Sequence, residues 1–396
     1  MAAATAGEDS SFLVTDPTWA LDFAPNGTLL VLNDTITRKR YADTLETIAT
    51  QGAGVFYKGA MADTTIAAIH AANGTMTADD LANYTVAIRE PANITYRGYK
   101  LNSVSAPASG TVALSIFKIL EGYSDIGSPE ALNLSTHRLD EAMRFGYGQR
   151  TEMGDPSFVT GMQKYEDEML APETAAYIRA RLSDTRTYNI SHYDPTGLEV
   201  LDTPGTSHVV AADKDGLAIS LTTTINLLFG SRVMVPETGI IMNNEMDDFS
   251  VPGRRNAFGF VPSPANYIRA GKRPLSSISC TIAETSDGKL HFVTGAAGGS
   301  RIITATVQTL WGVLDRNMTA AEALAMPRLH DQLVPDQVAF EYSYDNSTVE
   351  ALRSRGHNVT WVAPGQSSAQ SIRVLADGDF EAASEPRQKN SAGYVV

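Results

Sequence analysis

The sequence predicts an α+β fold, and three patterns carry that prediction. Two pairs of alternating apolar runs are each joined by an Asp-Gly turn, at Asp215-Gly216 and Asp287-Gly288; a long block of helical periodicity precedes them; and a strand, a glycine loop and a helix follow in succession from Leu290 to Leu314. Asp-Gly supplies the positive φ values of a tight hairpin. The stretch 206–226, TSHVVAADKDGLAISLTTTIN, therefore reads as a β-hairpin with Thr206 at its leading edge.

In chain order, residues 1–35 are polar and turn-rich, with apolar residues at 29–32 hinting at one strand. They read as a start in mid-protein. Apolar residues recur at helical spacing over 41–50 and 61–71, with Gly52 and Gly54 between them as stop signals. Thr77 followed by Asp80 has the form of a capping box. Residues 86–88 and 94–101 alternate as strands. Residues 110–120 are apolar on most faces and predict a buried helix. Helices are also expected over 132–153, 166–169 and 172–182, with Gly154-Asp155-Pro156 as a stop. Residues 185–205 carry Asn, Asp, Pro and Gly at turn spacing and read as an exposed linker. A short strand is expected at 240–242, before the acidic run 243–249, and a Pro- and Gly-rich loop at 252–274. After the second hairpin (280–284 and 290–294), a loop at 295–300 leads to a helix at 303–314. A helix at 320–326, a strand near Glu341, a helix near 349–355 and a closing segment 384–394 complete the chain.

Composition narrows the function. The 396 residues are 43% hydrophobic and 19% charged, enough for a large core, and the net charge of -14 disfavours a nucleic-acid partner. No apolar run approaches the roughly 20 residues that span a bilayer, and residues 1–11 lack a signal-peptide core. Yet Asn-x-Ser/Thr begins at Asn26, Asn33, Asn73, Asn83, Asn93, Asn133, Asn189, Asn317, Asn346 and Asn358. Ten of the 17 Asn residues in this pattern point to a glycoprotein of the secretory pathway with these sites on its surface, extracellular, at the cell surface or vacuolar. The single Cys280 excludes an internal disulfide or a cysteine metal cluster.

The candidate chemistry lies in the loops. A Thr hydroxyl is a poor nucleophile without a base, but an N-terminal Thr has one in its own amine, whose pKa is roughly 7.7 to 8.0. A cut between Gly205 and Thr206 creates such a terminus; the bland alternative is that Thr206 merely begins a strand. Gly298-Gly299 before a helix offers backbone N–H groups to an oxyanion, or is simply a tight turn. Glu245 and Asp248 suit an ammonium group, and Ser276 with Ser277 suits a carboxylate, although an acidic loop and a Ser-Ser turn are ordinarily just solvated. No G-x-S-x-G, H-E-x-x-H, G-x-x-x-x-G-K or G-x-G-x-x-G is present, and the seven His residues are scattered. No metal or cofactor is expected.

The ordered motifs TSHV, TTTIN, GIIMNNEMDDF, PSPANYI, RPLSS, GAAGGSRI and PRLHDQLVPD, with SAPASG and THRLDEAMRFGYGQRTEMGDPSF upstream, resemble the gamma-glutamyltranspeptidase (glutathione hydrolase) family from about Arg38 onward. The resemblance implies a four-layer αββα sandwich of the N-terminal nucleophile hydrolase type, formed jointly by a large-subunit segment 1–205 and a small-subunit segment 206–396. It implies self-cleavage at Gly205-Thr206 and a heterodimer of the two pieces. Thr206 would be nucleophile and base, Thr224 its hydrogen-bonding partner, and Gly298 and Gly299 the oxyanion hole. Asn226, Glu245, Asp248, Ser276 and Ser277 would bind substrate. The γ-glutamyl group of glutathione or a related compound would pass through a γ-glutamyl-threonine ester to water or to an amino acid or peptide. In this family an Arg far upstream clamps the α-carboxylate; Arg38, Arg40 and Arg144 do not match it, so the chain is expected to begin after that residue. A catalytically impaired homologue with a binding role, and a β-lactam acylase, are the alternatives.

Overall fold

The computed structural model describes residues 10–196, 205–253, 262–389 and 391–396. They form two compact units, Met1–Ile88 with Ile225–Asn244, and Arg89–Thr224 with Glu245–Val396.

The smaller unit is helical: α1 (Phe12–Thr15), α2 (Pro17–Phe23), α3 (Lys39–Gln51), α4 (Gly54–Tyr57), α5 (Ala60–Ala71) and α6 (Ala78–Ala82). Pro17 opens α2 while the Asp16 carboxylate accepts from Thr18 N at 2.8 Å, a pre-set φ combined with a side-chain cap. Thr77 and Asp80 form the expected reciprocal box at α6. Leu13, Trp19, Phe23 and Met234 make a separate small core. The beginning is thus more structured than its polarity suggested. The strand expected at 29–32 is absent, with Leu32 87% exposed, and so is the one at 86–88, with Ile88 95% exposed. Apolar alternation makes a strand only where a neighbour completes the ladder.

The larger unit begins with the hairpin β1 (Ala92–Tyr96) and β2 (Tyr99–Ser103), followed by α7 (Gly110–Leu120), α8 (Leu132–Arg150), α9 (Met162–Leu170) and α10 (Pro172–Arg181). β3 (Thr206–Ala212) and β4 (Ala218–Thr224) form the predicted hairpin. Then come β5 (Thr281–Glu284), β6 (Leu290–Ala297), α11 (Arg301–Leu314), α12 (Ala320–Ala325), β7 (Leu329–His330), β8 (Val338–Glu341), α13 (Asn346–Arg353), β9 (Val359–Val362), β10 (Ser368–Val374) and β11 (Phe380–Ala383). The main sheet is antiparallel in the order β1-β2-β5-β6-β10-β11. Since β2 precedes residue 206 and pairs with β5 beyond it, one sheet is built from both halves of the chain. β8 and β9 pair in parallel, a connection that requires a crossover, here supplied by α13.

Helices α7 and α11 cover one face of the sheet, and α8 packs on α7. Phe292 and Ala296 of β6 join that core, whereas Gly295, on the alternate face, lies against His208 of β3. Helices, six-stranded sheet and β3–β4 hairpin are therefore three successive layers of the expected sandwich within this unit. Several local expectations are corrected. The linker is not uniformly exposed: a 3₁₀ turn at Ile190–Tyr193 buries Tyr193, whose hydroxyl donates to Glu141 at 2.9 Å. Residues 197–204 of that linker, and 254–261 of the Pro-rich loop, lie outside the described residues. The strand at 240–242 is one bridge, Met234 to Ile241. Residues 295–297 belong to β6, so the glycine loop is shorter than expected. The interior strand β10, with β11 and β9, had gone unread.

Candidate active site

Thr206 opens β3 and Thr224 closes β4, and the register places them directly opposite one another. Their hydroxyl oxygens are 2.9 Å apart, and Thr224 Oγ1 donates to the carbonyl oxygen of Gly205 at 3.1 Å. A hydroxyl has one proton to give. With Thr224 spending its own on Gly205, the remaining bond must run from Thr206 O–H to Thr224 Oγ1. The result is a two-step relay: Thr224 accepts from the Thr206 hydroxyl while it polarises the Gly205 carbonyl.

Two contacts fix how this hairpin lies on β6. Ser220 Oγ donates to Thr294 O at 2.9 Å, and one step further along β6 the His208 ring abuts Gly295, where a Cβ would meet His208 Cε1 at 2.3 Å. Moving from Ser220 and its partner Val210 to His208 approaches the Thr206 end of the hairpin. The same move on β6 goes from Thr294 to Gly295, toward its C-terminus. The Thr206 end therefore points to the edge of the sheet where Gly298 and Gly299 begin. Those two glycines have φ of 128° and 58°, and a Cβ on Gly298 would lie 2.7 Å from Gln366 O, so the loop excludes side chains on both steric and conformational grounds. Ser300 anchors the loop: its carbonyl accepts from Tyr147 OH at 2.5 Å and its hydroxyl donates to Gln332 at 2.6 Å.

The serine pair reaches the same edge. Thr281 of β5 pairs with Thr294 of β6, so Ser276 and Ser277, just before β5, lie beyond that end of the sheet. Ser276 N donates to Pro107 O at 2.8 Å, and the Ser276 carbonyl accepts from Ser109 Oγ at 2.5 Å. Ser277 Oγ accepts from Arg150 at 3.2 Å. Glu245 and Asp248 begin and end a single 3₁₀ turn. Burial, reinforced by the hydrogen bond and the charge of Asp248, pushes the Glu245 carboxyl up to about 8. Asn266 joins the two pairs: its Nδ2 donates to Asp248 O at 2.7 Å and its Oδ1 accepts from Leu275 N at 2.9 Å.

Thr206, Thr224, the two glycines and the serine pair are thus gathered at one sheet edge, and Asn266 ties the acidic pair to the segment that carries the serines. Asn226 belongs to the other compact unit; it is buried, has a φ of 73°, and donates from Nδ2 to Asn244 O at 3.3 Å. Arg38 and Arg40 lie beside Asp22, and Arg144 pairs with Asp331 and Asp336. Nine of the sequon asparagines are exposed; Asn133 is half-buried on α8 and accepts from Thr348 at 2.7 Å. Sequence reasoning missed Asn266 and Arg150, although both stand inside the motifs it quoted.

The histidines are less scattered than the sequence suggests. His137 and His357 meet at 2.8 Å, beside Glu141, and His357 Nδ1 lies 3.0 Å from Asp140. His137 Nε2 faces the Ser183 carbonyl at 2.7 Å and must donate there, which leaves Nδ1 as an acceptor. His357 then donates to His137 from Nε2, and its Nδ1 faces the Asp140 carboxylate as an ion pair. Burial opposes that charge, but the Asp140 carboxylate outweighs it and raises the His357 pKa.

Comparison with known proteins bears on what this edge does. The family model described as Gamma-glutamyltranspeptidase matches residues 1–395. A glutathione hydrolase proenzyme of Arthroderma benhamiae is 57% identical over 98% of this chain and 66% of its own length. A glutathione hydrolase of Aspergillus flavus is 50% identical over 100% of this chain and 67% of its own. The chain thus spans about two thirds of the curated relatives it matches. Among solved structures, a cephalosporin acylase from Bacillus halodurans superposes with a TM-score of 0.80 at 25% identity, covering 96% of this chain and 67% of that one.

Proposed function

The chain belongs to the gamma-glutamyltranspeptidase family, with the α+β fold of the N-terminal nucleophile hydrolases, and on that premise we propose that it is an autoprocessing γ-glutamyl hydrolase and transferase. The observation that carries the reading is the relay from Thr206 through Thr224 to Gly205 O. In the uncut chain the Thr206 oxygen attacks the Gly205 carbonyl carbon as its proton leaves toward Thr224, and the C–N bond breaks, with the nitrogen taking up a proton. An ester joins Gly205 to Thr206 Oγ1. Water hydrolyses it, leaving a carboxylate on Gly205 and a free amine on Thr206.

That amine then serves as base for a second use of the same hydroxyl. The γ-glutamyl head is held by Glu245 and Asp248 at its ammonium and by Ser276 and Ser277 at its carboxylate. Thr206 Oγ1 attacks the γ-carbonyl carbon, the Gly298–Gly299 backbone receives the oxyanion, and the amine of the leaving group departs with the proton. Water or the amine of an amino acid or peptide resolves the ester. The substrate is glutathione or a related γ-glutamyl compound, and the two pieces, 1–205 and 206–396, remain together as a heterodimer, consistent with a sheet built from both. The acidic pair favours this substrate over a β-lactam, which need not offer an ammonium group at that place. Nine exposed sequons support glycosylation in the secretory pathway.

Intact mass and N-terminal sequencing test the first step: the protein should yield a fragment beginning at Thr206, and Thr206→Ala should stay whole. Cleavage at this bond in Thr206→Ala sinks the proposal. Release of the chromophore from a γ-glutamyl anilide by the native protein, lost in Thr206→Ala, tests the second.

A further inference from the structure

Arg150 is the last residue of α8, is 6% exposed, and has no carboxylate within ion-pair distance among the described residues. Burial pulls its pKa down, and Tyr147 and Asp248 are the nearby groups that oppose the fall. An unpaired buried guanidinium is costly, so its placement calls for a reason. Its hydrogen bonds go to hydroxyls: Nε donates to Ser109 Oγ at 2.9 Å and Nη2 to Ser277 Oγ at 3.2 Å. Ser109 in turn donates its proton to the Ser276 carbonyl at 2.5 Å.

We propose that Arg150 is a positioning residue for the reaction: it locks the Ser276–Ser277 pair from behind and makes that subsite selective for an anionic group. This rests on the reading that the pair receives the α-carboxylate of the γ-glutamyl head. The directions of the hydrogen bonds carry the argument. Because Ser277 Oγ accepts from a cation, its own O–H is left to donate outward and is polarised for it. Because Ser109 must donate to Ser276 O, the guanidinium fixes the backbone of the first serine and the hydroxyl of the second together. The charge also compensates the site. With Glu245 and Asp248 on the neighbouring turn, an incoming carboxylate would otherwise meet a negative field; a buried cation adjoining Ser277 reverses its sign locally. Ammonium and carboxylate are thereby assigned to opposite ends of the head.

The test uses Arg150→Met and Arg150→Lys in the full chain, with γ-glutamyl anilide and its α-carboxamide analogue as paired substrates. For Arg150→Met, kcat/KM on the carboxylate substrate should fall about tenfold to a hundredfold, chiefly through KM, the range expected for losing a hydrogen bond to a charged group. The carboxamide should change much less, so that the preference between the two collapses. Amide hydrogen exchange at Ser276, held by Pro107 O, and at Ile278, held by Ser276 Oγ at 3.2 Å, should accelerate. Arg150→Lys, which keeps the charge but cannot span both serines, should retain most of the preference while exchange accelerates; it serves if the methionine variant does not fold. Equal losses on both substrates, or unchanged exchange at both amides, overturns the proposal. If the native protein turns over neither substrate, the γ-glutamyl reading is what fails, and the exchange measurement still decides whether Arg150 holds the serine pair.

Discussion

Replacing Gly295 by Ala sets two effects of opposite sign against each other. At a position whose backbone tolerates a side chain, Gly→Ala stabilises by about 0.4 to 1 kcal/mol, because the unfolded chain has fewer conformations to lose. Gly295 carries no positive φ, so this term applies. Against it, the new Cβ would lie 2.3 Å from His208 Cε1, 2.7 Å from Nε2 and 3.0 Å from Nδ1. The ring has nowhere cheap to go: Nδ1 is bonded to Thr222 Oγ1 at 2.8 Å, and the residue is only 9% exposed. Overpacking of this kind costs about 1 to 3 kcal/mol, so the clash wins and the net change should be destabilising by roughly 1 to 2 kcal/mol.

The damage should also reach the chemistry. Relieving the clash moves the hairpin by roughly 1 Å, and Thr206 lies two residues from His208 on the same strand; a displacement of that size costs about a hundredfold in rate where reacting groups must be aligned. Urea unfolding measures the first effect, and the rate at which the 206–396 fragment appears measures the second. His208→Ala combined with Gly295→Ala should recover stability relative to the sum of the single changes, since the shared contact is then gone. A Gly295→Ala protein as stable as the native one, cutting itself at the native rate, would refute the reasoning.

Asp331→Ala should destabilise by about 3 to 5 kcal/mol in denaturant unfolding, because Arg144 is left buried without its enclosed partner. Asp336→Ala, on the same guanidinium but with a side chain 46% exposed, should cost under about 1 kcal/mol. Burial pulls His137 and His208 down to about 4 and His330 down to about 3, from 6.5. Below pH 6.5 the unfolded chain binds protons at these three sites that the native chain refuses, so they contribute stability that is lost as pH falls toward 4, while Glu245, raised to about 8, and Glu141 and Asp331, raised to about 7, contribute in the opposite sense. In thermal unfolding, His208→Gln should therefore lose less stability than the native protein between pH 6.5 and 4; an identical pH dependence would contradict it. The Glu245 carboxyl, raised to about 8, must release its proton before the acidic pair can receive an ammonium group in full. KM for a γ-glutamyl anilide should accordingly fall as pH rises toward 8, and Asp248→Asn, which removes the neighbouring charge, should flatten that dependence.

What the sequence made legible was local. The capping box at Thr77, the buried helix α7 and both Asp-Gly turns are decided by residues within a few positions of each other, and all stand where the pattern put them. β10 escaped because its sequence, SAQSIRV, places Ser371 in the interior, where it bonds Thr294 at 3.0 Å; buried polarity of that sort hides the alternation that marks a strand. The meeting of His137 with His357, 220 positions away, leaves no periodic trace at all. Arg150 and Asn266 escaped for a related reason. Each acts on the site through a serine hydroxyl or a backbone group, and nothing in their own neighbourhoods announces that partner.

The pair at the centre of the site stands between these cases. Thr206 and Thr224 are far apart in the chain, yet they lie at equal distances on either side of Asp215, and a hairpin with a tight turn must place such positions opposite one another. Counting outward from the turn also pairs His208 with Thr222, which bonds the ring that rests on Gly295. Both pairs share a face because side chains alternate with a period of two, and a slip of one residue would turn that face away from β6. The turn at Asp215-Gly216 thereby sets the contact of the two threonine hydroxyls and the seating of the hairpin together. A feature readable within a few residues fixes the meeting of two hydroxyls carried by residues that are not neighbours in sequence.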